Sequence, residues 1–220
     1  MTEDELFRHI CSMATDDAKG RQPPFADVAI PLHPDSPVDY EVVRDAAYSA
    51  ALGASDFVYH PSVGAPHIDV YRYPKSDERE FLCYVTNGMS DFPLQLPDGT
   101  YFRAELLAAV SEPSTGVAEF LRVLAQMPFV AKTFMHQYHT VPLPKGVLEE
   151  PFTFALIIPP FLAAELQDIP LTSTESVTTL QVVGITHEER DIALEHGPAH
   201  LVETVLPDEL STWLFDRRSP

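Results

Sequence analysis

The sequence predicts an α+β domain, and three observations carry that reading. Short β-branched and aromatic runs group in the first half of the chain, at residues 57–59, 68–73 and 81–87. One strongly amphipathic helical pattern, residues 116–127, interrupts them before two more apolar runs at 152–158 and 177–185. Helical patterns then close the chain. Strands grouped apart from helices fit α+β better than a regular βαβ alternation.

Taken in order, residues 2–16 have the pattern of a short helix ended before Gly20, and 19–37 are a proline-rich connection. Ser36-Pro37-Val38-Asp39 is a helix start, with a serine able to accept backbone N–H bonds and a proline at the first helical position. That helix runs through Val42, Val43, Ala46, Ala47 and Ala50 to a left-handed stop at Gly53. Residues 57–59 read as a short strand, and 68–73 and 81–87 as a hairpin around the polar insert 74–79. Pro97-Asp98-Gly99-Thr100 is a turn. Residues 102–110 are rich in Ala and Leu, which favours helix, but the segment is short and lies between two turns; it is expected to be a strand.

The 116–127 pattern places Val117, Phe120, Leu121, Leu124 and Met127 on one face, with Pro128 expected to end the helix. Residues 152–158 and 177–185 read as central strands. Thr186-His187-Glu188-Glu189 is a capping box before a helix that stops at Gly197. Pro198 starts a last helix carrying Leu201, Val202 and Val205, and the tail holds one more amphipathic piece with Leu210, Trp213 and Leu214. The expected division is an appendage over 1–34, one domain over 35–206 and a tail over 207–220.

A chain of 220 residues buries a sizeable core without disulfides or metals. Thirty-three acidic and 14 basic residues give a formal charge of −19. That field repels phosphate backbones, so nucleic acid is not an expected partner; it favours encounter with basic proteins. Cys11 and Cys83 form no C-x-x-C pair. The acidic first residues lack the basic and apolar regions of a secretory signal, and the apolar stretch 152–164 is broken by Pro159-Pro160 and too short for a bilayer. The expected location is the cytoplasm, without membrane association.

Catalytic patterns are incomplete. Gly88-Met89-Ser90-Asp91-Phe92 resembles half of a nucleophile elbow, but Phe92 stands where a second glycine belongs and Pro93 follows. Ser90 and Asp91 read instead as turn residues that bond the local backbone. His136-x-x-His139 and His196-x-x-x-His200 have spacings that suit a shared metal on a helix. Gly197-Pro198 breaks the second helix, the first pair lies between Pro128 and Pro142, and His187-Glu188 fails as a zincin motif because position 191 is Asp191. Hydrogen-bonded or surface histidines are the simpler expectation. No metal and no cofactor are expected.

Several separated segments share one resemblance. They include Phe57-Val58-Tyr59-His60, His67-Ile68-Asp69-Val70, Tyr84-Val85-Thr86-Asn87-Gly88-Met89-Ser90-Asp91 and Arg103-Ala104-Glu105-Leu106. Farther on come Ile157-Ile158-Pro159-Pro160, Leu180-Gln181-Val182-Val183 and Leu194-Glu195-His196-Gly197. In this order, over residues 38–206, they resemble the Suppressor of fused-like family, especially its short bacterial members. The resemblance implies a mixed α/β sandwich with a curved, largely antiparallel sheet covered by helices, and it supports a strand at 102–110. It implies no catalytic residues. The eukaryotic member of that family restrains a zinc-finger transcription factor by gripping an extended peptide, and bacterial members are regarded as immunity proteins.

The expected function is therefore non-catalytic: an immunity or regulatory protein that binds and neutralises a protein partner such as a toxin, the partner being basic by the charge argument. Tyr84, Ser90 and Asp91 are its expected contact residues, with Tyr84 as an aromatic anchor beside the Asp91 carboxylate. Two alternatives stand beside it: a hydrolase using Ser90 or a His136/His139 metal site, and a peptide-binding regulator of a transcription factor.

Overall fold

The computed structural model describes residues 40–60, 66–206 and 214–216. The expected helix over 2–16, the proline-rich connection, the Ser36-Pro37 helix start, and Leu210 and Trp213 lie outside the described residues. Within them, strands β1 (Phe57–Tyr59), β2 (Asp69–Tyr73), β3 (Leu82–Asn87), β4 (Leu94–Gln95) and β5 (Tyr101–Val110) precede the long helix. Strands β6 (Thr140–Pro142), β7 (Phe154–Ile158), β8 (Asp168–Pro170) and β9 (Ser176–Ile185) follow it. Their order in the sheet is β1-β2-β3-β5-β9-β7-β6, with β4 added on β5 and β8 on β9. Every pairing is antiparallel except β5 with β9. The α+β expectation holds, and so does the strand at 102–110.

β5 and β9 form the middle of the sheet and are covered on both faces. Ala104, Leu106, Ala108 and Val110 enter one core, while Leu107 and Ala109 enter another on the opposite side. Burial on both sides removes the alternating polar residues that advertise a strand. This explains why 102–110 has a helical composition.

Helix α2 (Thr115–Val130) covers the first face. Ser114 caps it by accepting the Val117 N–H at 3.3 Å. The predicted stripe of Val117, Phe120, Leu121, Leu124 and Met127 is buried as expected. Pro128 does not end the helix, as the sequence suggested, but lies inside it, two residues before the end. Only the bond to the Leu124 carbonyl is forfeited, because the Ala131 and Thr133 N–H groups still reach Met127 and Pro128 at 2.9 Å.

The second face carries two separate cores. Helix α1 (Tyr40–Leu52) and the 3₁₀ turn Phe161–Leu166 enclose one. Helix α3 (His187–His196), with the π-turn Leu201–Val205, encloses the other around Leu156, Ile158, Val183 and Ile185. The Thr186 capping box is formed in both directions. Of the apolar residues along α1, Val43 and Ala47 pack against this core, Val42, Ala46 and Ala50 are exposed, and the fully buried residues are Arg44, Tyr48 and Leu52. The sheet surface beneath α1 is polar at one end, so an arginine rather than a valine faces it.

Near the C-terminus, Phe215 is fully buried and stacks on Phe120 at 5.6 Å. Its N–H donates to the Ala109 carbonyl, and Asp216 accepts from Ser111. Gly184 is required here, since a Cβ would lie 2.6 Å from the Phe215 carbonyl oxygen. No helix among the described residues is long and apolar enough to cross a membrane.

Candidate functional site

The site arises where β3 leaves β5. Their last pair is Val85 with Leu107, and β5 is next joined by β4 at Phe102. Between these points the backbone groups of residues 86–91 lack ladder partners on β5, and side chains take that role. The Thr86 hydroxyl accepts the Leu106 N–H at 2.7 Å and donates to Glu105 Oε2 at 2.6 Å. Glu105 Oε1 accepts the Gly88 and Ser90 N–H groups at 3.0 and 2.9 Å and the Ser90 hydroxyl at 2.7 Å. A fully buried carboxylate thus replaces a missing stretch of ladder.

Gly88 makes the turn possible. Its φ is +122°, and a Cβ there would sit 2.5 Å from the His67 carbonyl oxygen. The chain then runs through a 3₁₀ turn, Met89–Asp91. Arg103, from β5, donates to the Ser90 and Asp91 carbonyls at 2.7 and 3.0 Å. Its guanidinium lies 4.9 Å above the Tyr40 ring and 3.8 Å from Glu175.

Arg44 supplies the remaining charge from α1. Its Nε donates to Asn87 at 2.6 Å, and its Nη1 to Ser90 Oγ at 2.9 Å and Asp91 Oδ1 at 2.6 Å. Glu105 Oε1 is 3.7 Å from Arg44 Nε. Asn87 in turn donates to Asp45 at 2.9 Å. Burial raises the Glu105 pKa, against the pull of Arg44, Thr86 and Ser90. For Arg44, burial acts to lower the pKa, but the charges of Glu105 and Asp91 outweigh it and hold the guanidinium above its ordinary value. Tyr48, fully buried below, is pushed well above an ordinary phenol, by burial first and Glu105 second.

The three contact residues expected from sequence have different fates. Asp91 is on the surface, 46% exposed, with one carboxylate oxygen fixed by Arg44. Ser90 is fully buried, bonded to Glu105 and Arg44, and no histidine is among its hydrogen-bond partners. That arrangement gives a substrate no access to Oγ and supplies no imidazole base. Tyr84 is not a surface anchor. It is 3% exposed, and its hydroxyl accepts the N–H of Ser114 at the start of α2. The aromatic next to Asp91 is Phe92, half-buried and edge-on to Phe129.

His136 and His139 are also separated in role. The His136 ring meets Phe102, the His139 ring meets Phe134, and burial lowers the His139 pKa. Sequence reasoning missed Arg44, Arg103 and Glu105 as members of the site. The available signal was the pair of charged residues, Arg103 and Glu105, inside an otherwise apolar strand.

Comparison with known proteins places this geometry in context. The family model described as Suppressor of fused protein (SUFU) matches residues 64–218. The crystal structure of a homolog of that protein from Neisseria gonorrhoeae FA 1090 is similar to this chain at 19% identity, covering 83% of this chain and 96% of the other, with a TM-score of 0.64. A structure of the Sufu–Fu complex is similar at 17% identity, over 82% and 89% of the two chains, with a TM-score of 0.59. Drosophila Suppressor of Fused is similar at 19% identity, over 69% of this chain and 42% of that one, with a TM-score of 0.52. No curated protein matches the chain.

Proposed function

The chain belongs to the Suppressor of fused family, and on that premise we propose that it is a non-catalytic binding protein, of the immunity or regulatory kind, that neutralises a protein partner such as a toxin. The observation that carries the reading is the Asp91 carboxylate: half-exposed, yet fixed from below by Arg44 on a turn whose Gly88 and Ser90 N–H groups are tied to Glu105. A preoriented surface charge loses little conformational freedom when a partner binds it. Asp91 makes the contact. Ser90 holds the turn, and Tyr84 holds the start of α2 behind it. The excess of 19 negative charges favours a basic partner, and one structure of this fold is itself a complex, Sufu with Fu.

The test is to capture the partner from the native host and measure its kinetics on purified protein. The association rate is expected to fall as salt rises towards physiological strength, where the screening length is about 8 Å. Asp91→Asn is expected to weaken affinity while leaving the fold intact, since Arg44 keeps Glu105 as its buried counter-charge and the amide oxygen can still accept from Arg44 Nη1. A partner bound equally well by Asp91→Asn, at a rate indifferent to salt, overturns the site and the steering together.

A further inference from the structure

Beside the 88–91 turn, at the same end of the sheet, lies a cluster that the binding reading does not use. β1 and β2 pair with Tyr59 opposite Val70, and one step along that register His60 faces Asp69. His67 precedes Asp69 by two residues. His60 Nδ1 and His67 Nε2 each lie 3.0 Å from the same oxygen, Asp69 Oδ1. The three ligand atoms fall within 4.8 Å of one another, the only such three-residue group among the described residues. We propose that His60, His67 and Asp69 bind a divalent transition-metal ion, with zinc the best-fitting class.

The decisive detail is Asp69 Oδ1. It is buried, and no N–H or O–H is aimed at it, although two ring nitrogens are at contact distance. Buried oxygens are ordinarily hydrogen-bonded. An ion held by both imidazoles satisfies this one. Zinc takes nitrogen and oxygen ligands at about 2.0–2.2 Å, so tetrahedral ligands lie about 3.4 Å apart. The two 3.0 Å separations from Asp69 Oδ1 need only a small opening. Two imidazoles and one carboxylate suit zinc, cobalt or nickel, whereas magnesium and calcium prefer all-oxygen sets.

The scaffold around the ligands is firm. Asp69 is paired with Asn87 on β3. Gly88 packs against the His67 carbonyl, and the Pro66 carbonyl accepts the Gln126 amide at 3.1 Å, so the backbone at His67 is held from both sides. The imidazoles are 64% and 62% exposed, which leaves the remaining coordination positions open to water or a partner's side chain. The sequence-based expectation of no metal weighed His136/His139 and His196/His200 but not this group. The proposal stands apart from the binding reading, since neither His60 nor His67 contributes to the Asp91 network.

The test uses the full chain, stripped with a chelator and titrated with zinc by calorimetry and with cobalt by visible absorption. One equivalent is expected to bind. His60→Ala and His67→Ala, whose exposed rings leave metal-free unfolding unchanged, are each expected to lose more than the about 10-fold that removing an outer-shell partner brings. Asp69→Asn keeps the shape and is expected to weaken zinc similarly. His139→Ala and His196→Ala are expected to bind as the parent does. No zinc binding by the parent, or binding lost in His139→Ala or His196→Ala but kept in His60→Ala and His67→Ala, overturns the proposal.

Discussion

β5 exchanges β3 for β4 between Leu107 and Phe102, and β9 exchanges β7 for β8 between Gln181 and Thr178. Both exchanges leave backbone groups without ladder partners in the buried middle of the sheet, and the two gaps are filled by different chemistry. At β9, the Thr179 N–H donates to the Gln167 carbonyl at 3.1 Å, and Gln181 Oε1 accepts the Leu162 N–H at 3.1 Å. Neutral groups suffice. At β5, Glu105 gathers two N–H groups and two hydroxyls, and Arg44 stands against it. A carboxylate and a guanidinium are more than ladder repair requires. The surplus links the buried strand through Arg44 to Asp91 on the surface, so one gap only closes the sheet while the other also holds a charged turn in place.

Removing the guanidinium should have the largest effect. Arg44→Met leaves Glu105 buried without its counter-charge and frees Asn87, Ser90 and Asp91 together. Breaking a buried pair in this way costs about 3–5 kcal/mol, to be read from denaturant unfolding. Arg44→Met with Glu105→Gln turns the charged gap into a neutral one like that at β9. The double variant should be more stable than the two single losses added, by a coupling of about 0.5–3 kcal/mol. Strict additivity would mean that the two charges do not act on each other, and that the contrast between the gaps is only one of composition.

The neutral gap should be less sensitive. Gln181→Leu removes the acceptor for the Leu162 N–H, and an unsatisfied buried donor costs about 1–3 kcal/mol. The expected order is Arg44→Met above Gln181→Leu in the same unfolding assay. A reversed order would place the structural weight of the sheet at β9 and leave the charged cluster as an ornament of the surface.

How far each region could be read from sequence follows the same division. Helix α2 was legible because Val117, Phe120, Leu121, Leu124 and Met127 repeat at helical spacing against an apolar sheet. The β2–β3 hairpin was legible from its polar insert. β5 was not legible by propensity, because burial on both faces gives it Ala and Leu instead of alternation. The buried face of α1 was not legible for a related reason. Its Val and Ala residues divide between the core side and the solvent, and only the tertiary position of Glu105 makes an arginine an inward residue. Ser90 and Asp91 were legible as turn residues, whereas Tyr84 carried no local sign that it would face Ser114 and the core. His60 and Asp69 meet through strand register, which nine residues of sequence separation do not display.

The smallest expected effect is a slope with pH, and it separates the gaps without disturbing either. Burial raises the Glu105 pKa in the folded chain above its ordinary 4.5, with Arg44, Thr86 and Ser90 pulling the other way. The folded state therefore holds that proton more tightly than the unfolded chain. Its contribution to stability is fully present below pH 4.5 and is lost as pH rises through the folded value, at no more than about 1.4 kcal/mol per pH unit for one proton. The geometry admits the proton: Thr86 Oγ1, 2.6 Å from Glu105 Oε2, can accept it and turn its own hydrogen towards the Leu106 carbonyl at 3.5 Å. The stability of the parent relative to Glu105→Gln should thus decline as pH rises from 4.5, measured by urea unfolding at a series of pH values. The difference between the parent and Gln181→Leu should stay flat over the same range, because an amide does not titrate. If the Glu105 difference instead grows with pH, the attraction of Arg44 outweighs burial, and the charged gap is a stabilising ion pair rather than a strained one held for the sake of Asp91.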